Sequence, residues 1–287
     1  MTPITLVEGR RISLSNLDKV LYPETGFTKG EVLHYYATVA EPLLAQIHDR
    51  AVSFLRYPDG PDGQLFFTKN PPPGAPDWVT TTPVPRSEDP SAEQVVVTDM
   101  ATLMWSANLV VEFHIHQWPA GSPAVADRMV LDLDPGALWL RERLAADGLD
   151  AYAKTSGSKG LHLAVPLEPT PSSQVSAYAK QLAQEAERAL PDLVVHRMAK
   201  ALRPGKVFVD HSQNAAAKTT AAAYTLRARA RPTVSAPVSW TEVEACRTPA
   251  DLVFLADDIG PRLDRDGDLF APLADPAQGR PLPRARP

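Results

Sequence analysis

The residues of this 287-residue chain most able to do chemistry are two aspartates one residue apart, in Leu131-Asp132-Leu133-Asp134-Pro135. On a strand, side chains two positions apart share a face, so Asp132 and Asp134 would present both carboxylates together. Adjacent carboxylates repel one another unless a cation sits between them. Pro135 cannot continue the strand, which leaves the pair at its carboxyl end. Oxygen ligands of this kind suit Mg²⁺ or Mn²⁺, and a pair of such ions activates an attacking oxygen and stabilises a leaving phosphate. Taken alone, an Asp-x-Asp reads more readily as ordinary surface acids on an edge strand than as a metal site. A third acid adds weight, because Val207-Phe208-Val209-Asp210 is another apolar run that ends in a carboxylate.

The segment Thr155-Ser156-Gly157-Ser158-Lys159-Gly160-Leu161-His162 offers what an oligophosphate needs. Its glycines let backbone N–H groups turn toward an anion, Ser156 and Ser158 carry hydroxyls, and Lys159 carries a point charge. The spacing is not that of the nucleotide-binding P-loop. A plain hairpin turn is the competing reading, and His162 also reads as a core histidine with a hydrogen-bonded ring. Between Arg197 and Arg231 lie Arg197, Lys200, Arg203, Lys206, Lys218, Arg227, Arg229 and Arg231 against one acid, Asp210. This is a local basic field within a chain of net charge −5.

The elements that must position these groups follow from periodicity. Thr28 can cap a helix running from Lys29 towards Ile47, with Val32, Leu33, Tyr36, Val39, Ala40 and Leu43 on one face. From residue 129 strands and helices alternate. Strands are expected at Met129 to Leu133, Tyr152 to Thr155, Leu161 to Leu167 and Lys206 to Asp210, and helices at Ala137 to Ala146 and Gln174 to Leu190. Tyr224 to Arg229 would add a further strand. The pattern is α+β, a small twisted mixed sheet with helices on one face. Proline-rich connectors fall at 71–76 and 83–90, and the tail from 272 to 287 is too rich in Pro and Arg to be expected in a core. We expect one domain over residues 1–271, with an N-terminal part to about 105 and a catalytic core from about 106.

Composition narrows the classes. A hydrophobic content of 44% supports a substantial core. The single cysteine, Cys246, excludes an internal disulfide and reads as a spectator in a reducing, cytoplasmic setting. No run approaches the ~20 apolar residues of a membrane span. The acidic total argues against a protein that coats nucleic acid.

The strand-borne carboxylate pair, the Ser-Gly-x-Lys-Gly-x-His turn and the third strand-terminal aspartate occur in the order seen in the archaeo-eukaryotic primase superfamily. More closely, the chain from about Leu14 to about Arg265 resembles the polymerase domain of bacterial ATP-dependent DNA ligase D. The resemblance rests on residues 15–23 (SNLDKVLYP), 66–70 (FFTKN), 107–114 (ANLVVEFH) and 154–162, and on 207–210 continuing through Gln213-Asn214 and Lys218-Thr219 to Tyr224-Thr225-Leu226-Arg227. It implies a primase-polymerase core with an RNA-recognition-motif-like sheet and an N-terminal α/β part packed on it.

The resemblance further implies that Asp132, Asp134 and Asp210 hold a two-ion site for Mn²⁺ or Mg²⁺. His114, Ser156, Lys159, His162, Lys218 and Arg227 would surround the incoming nucleotide, with ribonucleotides preferred. Asn16, Lys19 and Lys29 would hold the 5′-phosphate of a downstream strand, and Phe66 and Phe67 would support a template base. Read without it, the first three are solvated surface groups and the two phenylalanines are core. The expected activity is templated gap filling and end extension on DNA ends or gapped duplex, using NTP or dNTP, beside Ku and a DNA ligase. Three positions depart from the family pattern: Ser158 stands at a variable position, Thr225 where serine is commoner, and His211 where an aromatic is frequent. No ligase lysine motif or nuclease module accompanies the domain, so a stand-alone or excised polymerase is expected. The alternatives are a primase, or a non-catalytic module that binds and bridges DNA ends.

Overall fold

The computed structural model describes residues 4–84, 88–133, 136–197, 199 and 205–283. Its contacts cluster into two units. The first comprises Met1–Ile115, Ala221–Ala236 and Phe254–Asp268, and the second His116–Thr220, Pro237–Val253 and Leu269–Pro287.

The first unit is organised around the strand Ala51–Arg56, whose leading residues are buried. It pairs antiparallel with Val111–Ile115 from Val52 to Arg56, in a register that sets Phe54 opposite Phe113. Its other edge is shared, by Glu93–Val96 at Ala51 and Val52 and by Phe66–Thr68 at Phe54 to Arg56. Helices Lys29–Thr38, Ala40–Ile47 and Met100–Asn108 contribute Val32, Leu33, Tyr36, Leu43, Ile47 and Leu103 to the core. Tyr36 meets the edge of Phe113 at 5.2 Å between ring centroids, a favourable T-shaped pair.

Thr28 caps the first helix as its position suggests. Its hydroxyl accepts the Glu31 N–H, and the Glu31 carboxylate accepts the Thr28 N–H. The single helix expected from Lys29 to Ile47 is instead two, broken at Val39. Pro42 accounts for the break, since its ring would clash with the carbonyl four residues earlier, at Thr38. The strand expected at Tyr224 to Arg229 is also absent. Tyr224 has φ of 66°, and the segment makes one isolated bridge, Leu226 with Val234. Its backbone bonds locally to Thr233 and Ser235, and side chains pin it further: the Tyr36 hydroxyl accepts the Leu226 N–H at 3.1 Å, and the Thr225 hydroxyl accepts the Phe113 N–H at 2.8 Å.

The second unit holds an antiparallel sheet in the order Val125–Leu133, Leu161–Pro171, Tyr152–Thr155, Pro237–Val238. A bulge lies between Ala126 and Arg128. The helix Ser172–Ala189 packs on the two longest strands through Val175, Tyr178, Leu182 and Ala186. A short parallel pair, Val194–Val195 with Val207–Phe208, joins the sheet edge through a bridge between Asp210 and Asp132, which makes the whole mixed. Strand Tyr152–Thr155 and helix Ala137–Ala146 have the limits expected of them.

The tail differs from expectation. Residues Ala271–Ala274 form a helical turn with Leu273 buried, the Arg128 guanidinium donates to the Leu273 carbonyl, and Arg280 bridges Leu167 in parallel. The edge of the long strand leaves backbone groups to be satisfied, and this segment supplies them: Glu168 N–H donates to the Arg280 carbonyl at 3.0 Å.

Candidate active site

In the second unit one row of residues runs across four neighbouring segments. Asp210 lies opposite Asp132, Asp132 opposite His162, and His162 opposite Lys154. Laterally paired residues point to the same face of a sheet. The Asp210 N–H donates to the Asp132 carbonyl at 2.9 Å. The sheet thus sets two acids remote in sequence on one face.

The Asp210 carboxylate is oriented from behind, accepting the Ser212 N–H and the Gln213 side-chain amide, each at 2.8 Å. The loop that provides these donors is clipped to the sheet by Asn214, which is almost fully buried. Its side-chain amide donates to the Val130 carbonyl at 2.7 Å and accepts the Val130 N–H at 2.8 Å. Asn214 therefore mimics a strand partner two residues before Asp132. Its role was not apparent in the sequence, although an Asn soon after a strand-terminal Asp is a signal of loop-to-sheet bonding.

Asp132 keeps 40% of its side chain exposed, and an ionised carboxylate offers about four acceptor sites. A pair of hard oxygen donors on one face fits a divalent cation. Asp134, the third expected ligand, lies outside the described residues, and among those described no three metal-ligating side chains converge.

The turn after Tyr152–Thr155 is built around Ser156. Its backbone N–H donates to the Gly160 carbonyl at 2.8 Å, and its hydroxyl accepts the N–H groups of Ser158 and Gly160. Gly157 has φ of 68°, which a residue with a Cβ rarely adopts. Two of the amides expected to face an anion are thus turned onto Ser156, and what the turn presents outward is the exposed Lys159. Lys218 is likewise exposed. The turn borders a cavity of about 460 Å³ lined by Trp139, Lys159, Leu161, Leu190, Cys246 and Leu252, among others. Burial, then the charge of Asp251, raises the Cys246 pKa, in keeping with a spectator thiol.

In the first unit the organising group is Glu112, a buried carboxylate. It accepts from the Arg227 Nε at 2.9 Å, from the Ala228 N–H at 2.5 Å, and hydrogen-bonds His114 Nε2 at 3.0 Å. Burial alone would raise its pKa. The His114 hydrogen bond, the Arg227 charge and the Ala228 N–H outweigh burial and hold it below the ordinary range. Glu112 was passed over in the sequence because only the fold brings Arg227 to it. His114 and Arg227 are thereby brought together, and the Phe67 ring meets His114 edge-on at 5.6 Å. Phe66 and Phe67 are both exposed, which sets aside the core-packing reading.

Asn16, Lys19 and Lys29 also lie together. Lys19 N–H donates to the Asn16 carbonyl, Lys29 N–H donates to the Lys19 carbonyl, and Asn16 has φ of 57°. Lys29 opens the Thr28-capped helix and is buried. Burial, then the charge of Lys19, lowers its pKa. Lys19 donates to Asp59 at 2.5 Å and to the Pro58 carbonyl at 2.8 Å.

The residues of the basic run are shared between the two units. Arg197, Lys206 and Lys218 belong to the second unit, Arg227, Arg229 and Arg231 to the first, and Lys200 and Arg203 lie outside the described residues. Arg197 is paired with Glu187, and Arg227 with Glu112. No helix among the described residues is long and apolar enough to cross a membrane.

Comparison with known proteins gives a consistent set of relatives. The family described as LigD, primase-polymerase domain, matches residues 28–270. The multifunctional non-homologous end joining protein LigD of Mycobacterium bovis is 42% identical over 294 residues, covering 93% of this chain and 38% of that protein. The bifunctional LigD of Bacillus subtilis is 32% identical over 286 residues, covering 95% of this chain and 46% of that protein. The chain thus spans less than half the length of the curated relatives it matches. Among solved structures, the polymerase domain of Mycobacterium tuberculosis ligase D in complex with DNA superposes with a TM-score of 0.86 at 42% identity, covering 92% of this chain and 98% of that one.

Proposed function

The chain belongs to the LigD primase-polymerase domain family, and on that premise we propose that it is a template-directed nucleotidyltransferase that fills gaps and extends ends in double-strand-break repair by non-homologous end joining. The observation that carries this reading is the backbone pairing of Asp132 with Asp210, two acids on one face beside the His162 ring. With Asp134 they are the groups we assign to divalent metal, Mn²⁺ or Mg²⁺ in a two-ion site. When bound, such ions stabilise phosphate charge and acidify the attacking primer hydroxyl.

The chain's own side chains do the rest. Ser156 shapes the turn that presents Lys159, and Lys159 and Lys218 offset the charge of the triphosphate. His162 contributes a ring N–H beside Asp132. In the other unit, Glu112 holds His114 and Arg227 in fixed orientations for the nucleotide, so their ordering is completed before binding. Phe66 and Phe67 provide exposed aromatic faces for a template base. Asn16, Lys19 and Lys29 accept the 5′-phosphate of a downstream strand, with the buried Lys29 as a fixed charge and Lys19 as a movable one. The substrates are NTP or dNTP, with ribonucleotides preferred, and a gapped or broken duplex. The expected setting is the bacterial cytoplasm, with Ku and a DNA ligase as partners.

The test is nucleotide incorporation on a gapped duplex, with and without a downstream 5′-phosphate, in Mn²⁺ and in Mg²⁺, with ribo- and deoxyribonucleotides. Asp132→Ala is expected to abolish incorporation without loss of folding. Undiminished incorporation by that variant would end the reading. Duplex binding by the wild type with no incorporation under any condition would favour an end-bridging module, and synthesis without a primer would favour a primase.

A further inference from the structure

Lys154 is 4% exposed, on the strand that leads into the Ser156 turn. Its Nζ lies 2.9 Å from His162 Nδ1, and His162 Nε2 lies 3.3 Å from Asp132 Oδ1. The three residues occupy one lateral row on adjacent strands, so the spacing is a property of sheet register. His162 is itself 6% exposed, with its ring between the ammonium and the carboxylate.

In its ammonium form Lys154 has donors and no acceptor, so it can pair with His162 Nδ1 only if that nitrogen presents its lone pair. The ring proton must then sit on Nε2, the nitrogen that faces Asp132. We propose that Lys154 is a positioning residue for the nucleotide-transfer site, holding His162 in the tautomer whose Nε2–H is directed at Asp132 and the space beside it. The proposal rests on the polymerase reading for the purpose of that donor, but not for the tautomer itself. With the wrong tautomer, Nε2 would offer a lone pair toward a carboxylate and toward incoming phosphate oxygens, all of them acceptors. The orientation set by Lys154 therefore decides whether His162 attracts or repels a triphosphate. Groups that orient a metal-bound histidine from behind alter affinity or activity by about 10–100-fold when removed, and an effect at the lower end is expected for a histidine that only donates a hydrogen bond.

Two measurements on the full chain test this. The first is the long-range ¹H–¹⁵N spectrum of the imidazoles, with the His162 signals assigned by their loss in His162→Gln among the seven histidines. The wild type is expected to show the Nε2–H tautomer, and Lys154→Met a mixture or the Nδ1–H form. A wild-type Nδ1–H tautomer, or a Lys154→Met spectrum identical to the wild type, would overturn the proposal. The second is steady-state incorporation. Lys154→Met is expected to raise the nucleotide KM about tenfold, with primer–template affinity unchanged, and Lys154→Arg, which retains a cationic donor, to recover most of the loss. A fall in kcat with unaltered KM would also count against the proposal. If Lys154→Met does not fold, Lys154→Gln and the wild-type tautomer decide the matter. A wild type that incorporates nothing would remove the polymerase reading, while the spectrum would still decide the tautomer.

Discussion

Asp210 and Asp132 are joined through their backbones: the Asp210 N–H donates to the Asp132 carbonyl at 2.9 Å, so the spacing of the two carboxylates is set by strand pairing. Whatever disturbs that pairing should disturb the site without touching either acid. The Asn214 clip is the place to test it. Asn214→Ala leaves the Val130 N–H and carbonyl without their partner in a buried setting, at a cost of about 1–3 kcal/mol for each unsatisfied group. The expected result is a lower denaturation midpoint and a fall in incorporation larger than the stability loss explains at temperatures where the protein remains folded. Unchanged incorporation in the folded variant would show that the pairing holds Asp210 without the clip.

Glu112→Ala should separate stability from nucleotide handling in the first unit. Removing the buried carboxylate leaves the largely covered Arg227 guanidinium without this partner, and breaking such a pair costs about 3–5 kcal/mol when fully buried, somewhat less here. Calorimetry should show the destabilisation, and Glu112→Gln should be milder. Both variants should raise the KM for nucleotide, because His114 and Arg227 lose their common anchor. A destabilised protein with wild-type KM would remove Glu112 from the site.

The same carboxylate predicts a pH dependence. Its folded-state pKa is depressed below the ordinary glutamate value of 4.5, so its ionised form is favoured by folding. That contribution is fully present above about pH 4.5 and is lost as pH falls through the depressed value. Thermal melts from pH 7 down to pH 3 should be flat in this contribution until the acid limb, and Glu112→Gln should flatten the limb. An identical acid limb in the variant would assign the effect to other carboxylates.

If Lys19 holds a 5′-phosphate as proposed, its partner Asp59 would compete with that phosphate. It is an exposed acid at 2.5 Å, and a pair of that kind is worth little in water, roughly 0–1 kcal/mol. Asp59→Asn is therefore expected to tighten binding of a 5′-phosphorylated gapped duplex by a few fold and to leave the 5′-hydroxyl duplex nearly unaffected. Anisotropy titrations with the two duplexes distinguish this from a general gain in charge, which would tighten both.

Phe67 carries half of its surface to solvent, so its truncation should cost the fold little. If it supports a template base, Phe67→Ala should weaken binding to a duplex with an unpaired template nucleotide by roughly 1–3 kcal/mol. Binding to a fully paired blunt duplex should change less. Equal loss on both substrates would speak against stacking.

The sequence by itself determined whatever depends on near neighbours. The helix Ala137–Ala146, the strand Tyr152–Thr155, the Thr28 cap and the Ser156 turn were legible because periodicity, capping and turn chemistry act over a few residues. Pro42 acts by the same kind of local rule in dividing the first helix. The tertiary structure alone decided what depends on distant partners. Tyr224 to Arg227 has a strand-like composition, yet Tyr36, Glu112 and Phe113 hold it in another shape. The basic run is split between two units, and the proline-rich tail follows a strand edge that its own residues do not announce. Glu112, Asn214 and Lys154 acquire their roles from groups that folding brings to them. A hydrogen bond to a residue far along the chain leaves no period in the sequence, only a polar side chain whose partner emerges when the sheet register is set.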